Sequence, residues 1–141
     1  MKVLVAGSGG QLGRALASSV PAGVTLIAPA EADFNITDPD VVDAVVAGAS
    51  PDLVINAAAY TAVDKAETDL ATAQAVNVNA VGLLASAARR AGAGLVHVST
   101  DFIFDGSASR PIPPDASPNP LGAYGRTKWE GEEAARDLHG A

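Results

Sequence analysis

The sequence predicts an α/β fold built on a doubly wound parallel sheet, and three observations carry that expectation. Short runs such as Val3-Leu4-Val5-Ala6 and Leu53-Val54-Ile55 are apolar at every position, as strands covered on both faces are. Segments of helical period separate them, so successive strands are joined by crossovers and pair in parallel. The first strand also breaks directly into Gly7-Ser8-Gly9-Gly10-Gln11-Leu12-Gly13, a glycine-spaced turn that opens a helix.

Taken in order, the first strand is Val3 to Ala6, and Gln11 to Val20 reads as a helix with Leu12, Ala15, Leu16 and Ser19 at helical spacing. The turn between them suits a phosphate. Gly7 supplies a tight turn, Gly10 lets backbone approach a pyrophosphate, and Gly13 gives helix and strand a contact free of side chains. The helix N-terminus adds unpaired N–H groups. Val24 to Ala28 is the second strand, ended by Pro29, and Ala32 to Ile36 is expected to add a short outer strand. Thr37 or Asp38 caps a helix carrying Val41, Val42, Val45 and Val46, with Pro39 in its first turn. Leu53 to Asn56 is the next strand and leads into Ala57-Ala58-Ala59, where small side chains let a flat ligand lie against the backbone. A long helix is expected from Leu70 to Ala91, closed by Gly92. Leu95 to Ser99 is the last strand, a loop rich in Pro, Ser and Gly follows from Asp105 to Gly122, and Ala123 to Leu138 forms the final helix. Right-handed crossovers bring the Gly7 turn, Ala57 to Ala59 and Ser99-Thr100 to one carboxyl edge of the sheet, where ligands of such folds bind.

Composition narrows the function classes. A chain of 141 residues suits one domain. A net charge of −7, with no basic cluster beyond Arg89-Arg90, argues against nucleic-acid or anionic-membrane partners. Without cysteine there is no disulfide framework and no thiolate metal site. Met1-Lys2-Val3 enters the first strand with no signal-peptide layout, and no apolar run approaches about 18 residues, so a cytoplasmic protein is expected. His97, in a buried strand, and His139 read as structural, and no metal is expected. Asp64, Lys65, Glu67 and Asp69 read as a solvated helix start. Asn77 fits either a buried hydrogen-bonding position or a partly exposed helix face. The prolines between 111 and 120 read as a stiff loop beside the site.

Tyr124 and Lys128 stand four residues apart at the start of the last helix and so share one face of it. A phenol titrates near pKa ~10, and a nearby cation stabilises the phenolate, which tunes the pair for general acid work. Thr100, at the end of a strand that finishes beside the same cleft, is placed to hydrogen-bond the carbonyl that Tyr124 protonates.

These residues, with Gly7-x-x-Gly10-Gln11-Leu12-Gly13, Asn56 to Glu67, Val96 to Gly106 and Tyr124-Gly125-Arg126-Thr127-Lys128, resemble the extended short-chain dehydrogenases/reductases and, within them, the dTDP-4-dehydrorhamnose reductase branch. The resemblance covers essentially the whole chain. It implies a Rossmann-like fold and hydride transfer from NADH or NADPH to the 4-keto group of dTDP-4-dehydro-L-rhamnose, giving dTDP-L-rhamnose for cell-surface polysaccharide. It further implies that Gly10, Gln11 and Leu12 contact the pyrophosphate, and Asn35 and Ile36 the adenine. Ala57, Ala58 and Val98 would line the cofactor, and Ala59, Tyr60 and Thr61 would lie toward the nicotinamide. Thr100, Tyr124 and Lys128 would be catalytic, Tyr124 and Lys128 would also contact the cofactor, with Lys128 holding the nicotinamide ribose, and Thr100 and Asp101 would meet the sugar.

Departures from the family pattern bear on the details. Phe102 stands where a tyrosine is usual, and Ile112 and Pro114 replace an aromatic residue and a glutamate in the loop before the last helix. Glu31 occupies a region where relatives often carry an arginine for the 2′-phosphate of NADP, so NADH is favoured. Family members also continue beyond the Tyr-x-x-x-Lys helix with further strands and a sugar-binding lobe. The chain therefore reads as the cofactor-binding portion, with a sheet incomplete on its C-terminal side and an uncovered edge expected to promote self-association. Two other readings are a non-catalytic nucleotide-binding or regulatory module of the same fold, and a nucleotide-sugar epimerase or dehydratase.

Overall fold

A computed structural model describes residues 1–140. Its strands are β1 (Lys2–Ala6), β2 (Thr25–Ile27), β3 (Leu53–Asn56) and β4 (Gly94–His97), and its helices are α1 (Gln11–Ser18), α2 (Pro39–Ala49), α3 (Leu70–Gln74), α4 (Ala80–Ala91) and α5 (Ala123–His139). The strands form one parallel sheet in the order β2-β1-β3-β4. The register sets Leu4 beside Ile27 and Val54, and Asn56 beside Ala6 and His97, so the carboxyl ends of β1, β3 and β4 align. This is the α/β fold expected from the apolar runs. Leu4, Ala6 and Val54 point into one core with Val42 and Val46 of α2 and Ala80, Leu84 and Ala88 of α4.

Local chemistry sets the element ends. The Asp38 carboxylate accepts from the N–H groups of Asp40 and Val41 and caps α2. The first helix stops at Ser18, short of the expected Val20, because the hydroxyls of Ser18 and Ser19 bond back to the Ala15 carbonyl. Ala32 to Ile36 is a series of turns and not the expected outer strand. Asp33 and Phe34 both donate to Ala30 O, and the Asn35 side chain accepts from Thr37, while Phe34 and Ile36 plug into the core. Two buried apolar residues spaced by one polar residue imitate a strand in the sequence.

The run from Leu70 to Ala91 is helical but not uniform, since Ala75–Asn79 winds as a π-helical turn between α3 and α4. At 22 residues and mean hydropathy 1.2 it is long and apolar enough to cross a membrane by length and composition, which corrects the expectation that no such run exists. Its alanine-rich face lies against the sheet, α2 and α5, so it serves as a core helix.

Candidate nucleotide cleft at the carboxyl edge

At the end of β1 the chain turns at Gly7, whose φ of +79° is open to glycine, and Gly10 N–H closes the turn on Gly7 O. A Cβ on Gly7 would stand 2.6 Å from Ala58 N, and one on Gly13 would stand 2.5 Å from Ser8 Cα, so both glycines are needed for the turn to pack. Gly10 differs: a Cβ there meets only Gly7 O at 3.4 Å. Its open side faces outward at an α1 N-terminus that no side chain caps and no acidic residue adjoins. Ser8 Oγ donates to Pro29 O at 2.5 Å, and the Arg14 guanidinium donates to Gly9 O, which fixes the loop from both sides. Gln11 and Leu12 are exposed beside it. A rigid loop with free N–H groups and an open glycine face fits a pyrophosphate.

The neighbouring loops complete one edge. Ala57 N–H bonds to Ala6 O and Ala58 N–H to the Asn56 side chain, holding Ala57 to Ala59 beside the glycine turn. Tyr60 is clamped at its main chain: its N–H donates to Asn77 Oδ1 at 2.9 Å, and Asn77 Nδ2 donates to Tyr60 O at 3.1 Å. Asn77 also donates to Thr127 Oγ1 at 3.2 Å and is fully buried, so of the two readings its sequence allows, the structure selects the buried one. Glu31, Asn35 and Thr61 are exposed on loops, whereas the Ile36 side chain is spent in the core.

The last strand ends at His97, before the expected Ser99, because Val98 O leaves the ladder to accept from Lys128 Nζ at 2.6 Å. Lys128 is 2% exposed, and burial lowers its pKa to about 8. Thr100 caps the one-turn helix Asp101–Ile103 through Phe102 N–H and donates to Asp101, which is exposed. That turn packs on α5, where the Phe102 ring meets Tyr124 edge to face at 5.6 Å. The catalytic candidates Thr100, Tyr124 and Lys128 thus come from β4's outlet and the first two turns of one helix.

Two contributors were read differently in the sequence. Glu67, expected on a solvated helix start, sends Oε1 to Ala123 N–H at 2.6 Å and caps α5 from another element. Asp69, from the same expected cluster, accepts from Tyr60 OH at 3.2 Å and from Thr72, and pairs with Lys65 at 3.5 Å. His97 is bonded to Asn56 and lies 3.5 Å from Lys128 Nζ. The loop 105–122 is tied at its base, where the Asp105 carboxylate accepts from Ser107 and from Asn119 Nδ2 at 2.9 Å.

A family model described as the RmlD substrate binding domain matches residues 1–140. The chain belongs to the RmlD family. This RmlD-family chain is 44% identical over 140 residues to the dTDP-4-dehydrorhamnose reductase of Burkholderia thailandensis, a match covering 99% of the chain and 47% of that relative. It is 44% identical over 136 residues to the enzyme of the same name from Mycolicibacterium smegmatis, covering 94% of the chain and 41% of the relative. Among solved structures, a dTDP-4-dehydrorhamnose reductase from Clostridium acetobutylicum superposes with a TM-score of 0.94 at 40% identity, over 98% of this chain and 50% of that one. One from Bacillus anthracis in complex with NADP superposes with a TM-score of 0.95 at 32% identity, again over 98% and 50%. The RmlD-family chain spans about half the length of the curated relatives it matches.

Proposed function

We propose that this chain is the cofactor-binding part of an NAD(P)H-dependent reductase acting on the 4-keto group of a dTDP-linked deoxysugar, dTDP-4-dehydro-L-rhamnose. The observation that carries the reading is the junction of Lys128 with Val98 O at the end of β4, one helical turn from Tyr124, in a member of this family. The uncapped α1 N-terminus and the open face of Gly10 would hold the pyrophosphate, with Gln11 and Leu12 beside it. Ala57 to Thr61 and Val98 would border the nicotinamide end, and Asn35 with the Ile36 main chain the adenine. When bound, the nicotinamide supplies the hydride.

The chain's own residues manage the proton and the carbonyl. Tyr124 O–H donates to the oxygen that becomes a hydroxyl, Thr100 hydrogen-bonds the same oxygen and polarises it, and Asp101 meets the sugar. The Lys128 ammonium favours the phenolate of Tyr124 and so makes its proton easier to give up. Glu31 stands exposed after β2, where a carboxylate repels a 2′-phosphate, so NADH is the preferred cofactor.

Calorimetric titration of the chain with NADH and NADPH tests the site. We expect weak binding, tighter for NADH by several-fold, with the order reversed in Glu31→Arg. Tighter NADPH binding by the wild type removes the Glu31 assignment, and no binding of either removes the cofactor site. In the full-length protein, Tyr124→Phe is expected to lose most turnover with cofactor affinity kept, whereas Lys128→Met loses both. Near-normal turnover in Tyr124→Phe would move the acid elsewhere, with Asp101 the first candidate.

A further inference from the structure

Asn56 decides which nitrogen of His97 carries the proton. The Asn56 side-chain oxygen accepts from Ala58 N–H at 3.1 Å, so its NH2 is the group turned to His97, with Nδ2 3.0 Å from Nδ1. An amide N–H meets Nδ1 only as an acceptor, and a neutral imidazole then holds its hydrogen on Nε2. Nε2 lies 3.5 Å from Lys128 Nζ, which itself donates to Val98 O. An imidazole N–H facing an ammonium makes no bond, whereas the same N–H donates to the lone pair of an amine.

We propose that His97 is a positioning residue for Lys128, fixed by Asn56 as the Nε2–H tautomer, so that the ring offers Lys128 a hydrogen bond only when Lys128 is the free amine. The ring also lines a cleft of about 310 Å³, together with Leu95, Ser99 and the α5 residues Glu132, Arg136 and His139. Burial lowers both groups, His97 to about 4, helped by the Lys128 charge, and Lys128 to about 8. Glu132, one turn along α5, works the other way and favours the ammonium. Arg136 and His139 lie farther along the same helix, and Tyr124 one turn before.

The consequence for catalysis rests on the proposed function: an ammonium that yields its proton readily can return one to the Tyr124 phenolate, leaving a neutral phenol and a neutral amine. The tautomer and the Lys128 titration do not rest on it. Long-range ¹H–¹⁵N correlation spectra of the full chain at neutral pH are expected to show His97 protonated on Nε2, and an Nδ1–H pattern overturns the proposal. A ¹⁵Nζ titration is expected to give a Lys128 midpoint near 8 in the wild type. Asn56→Asp keeps an acceptor for Ala58 N–H but draws the ring proton to Nδ1, and His97→Leu keeps bulk without a donor. Both are expected to raise the Lys128 midpoint by about one pH unit. An unchanged or lowered midpoint in His97→Leu overturns the proposal. If that variant does not fold, the wild-type tautomer and its move to Nδ1 in Asn56→Asp decide the matter. Loss of NADH binding in calorimetry would remove the reductase reading while leaving the His97 result intact.

Discussion

Gly10 and Gly13 look alike in the glycine turn and differ in what surrounds them. A side chain at Gly13 runs into Ser8, whereas a Cβ at Gly10 makes only an ordinary contact with Gly7 O at 3.4 Å. Gly13→Ala is therefore expected to lower unfolding free energy by about 1 to 3 kcal/mol, from overpacking. Gly10→Val, at the N-cap of α1, should lower the urea midpoint less than Gly13→Ala does and abolish cofactor binding; equal affinity to the wild type in calorimetry would detach the pyrophosphate from this loop. His97 makes stability depend on pH in a direction that its geometry sets. Its folded value of about 4 lies below the 6.5 of a free imidazole, so between these the unfolded chain takes up a proton that the folded chain refuses. Stability is then lost as pH falls from 6.5 toward 4, by on the order of 3 kcal/mol at most, and is flat for this group below that. Asp105, held down to about 2 by Ser107 and Asn119, extends the loss further into acid. Urea denaturation at stepped pH checks both windows, and His97→Gln should flatten the upper one.

At the scale of elements, α5 is placed by groups far away in the chain. Gly131 brings it so close to the π-helical turn that a Cβ there would overlap the Asn77 carbonyl oxygen, while Asn77 and Glu67 supply side-chain bonds to Thr127 and Ala123 N–H. Asn77→Leu strands the Tyr60 N–H and carbonyl without partners and is expected to cost about 2 to 4 kcal/mol in urea unfolding. Glu67→Ala removes only a cap, at about 1 kcal/mol, and should be seen first as faster amide exchange at Ala123 and Tyr124. These dependencies explain what the sequence could show. Strands β1 and β3 were legible because continuous apolar runs admit few other structures, and Tyr124 with Lys128 because helical spacing alone puts them on one face. The bond of Asn77 to Thr127, the cap at Glu67 and the tether of His97 were not, since each depends on a partner 40 or more residues distant. The outer strand expected at Ala32 to Ile36 failed for a local reason: Phe34 and Ile36 bury on one side without any ladder to pair with.

For the whole molecule, the sheet is open, with β2 at one edge and β4 at the other. β4 pairs only with β3 and leaves its other side without a strand, with Val96 47% exposed on it and Val98 40% exposed just beyond its end. Concentration-dependent association is the expected outcome in sedimentation velocity, and Val96→Lys should reduce it without unfolding the chain; a strictly monomeric wild type would show the edge to be self-protected. The distant anchoring of α5 also has a consequence during synthesis. The glycine turn, its Ala58 wall, the Glu67 cap and the Asn77 clamp all leave the ribosome before Tyr124 does, so the proposed phosphate cradle can take shape while the helix that carries Tyr124 and Lys128 is still being made. That helix meets partners made before it, and its few long-range latches must close together for Tyr124 and Lys128 to be set.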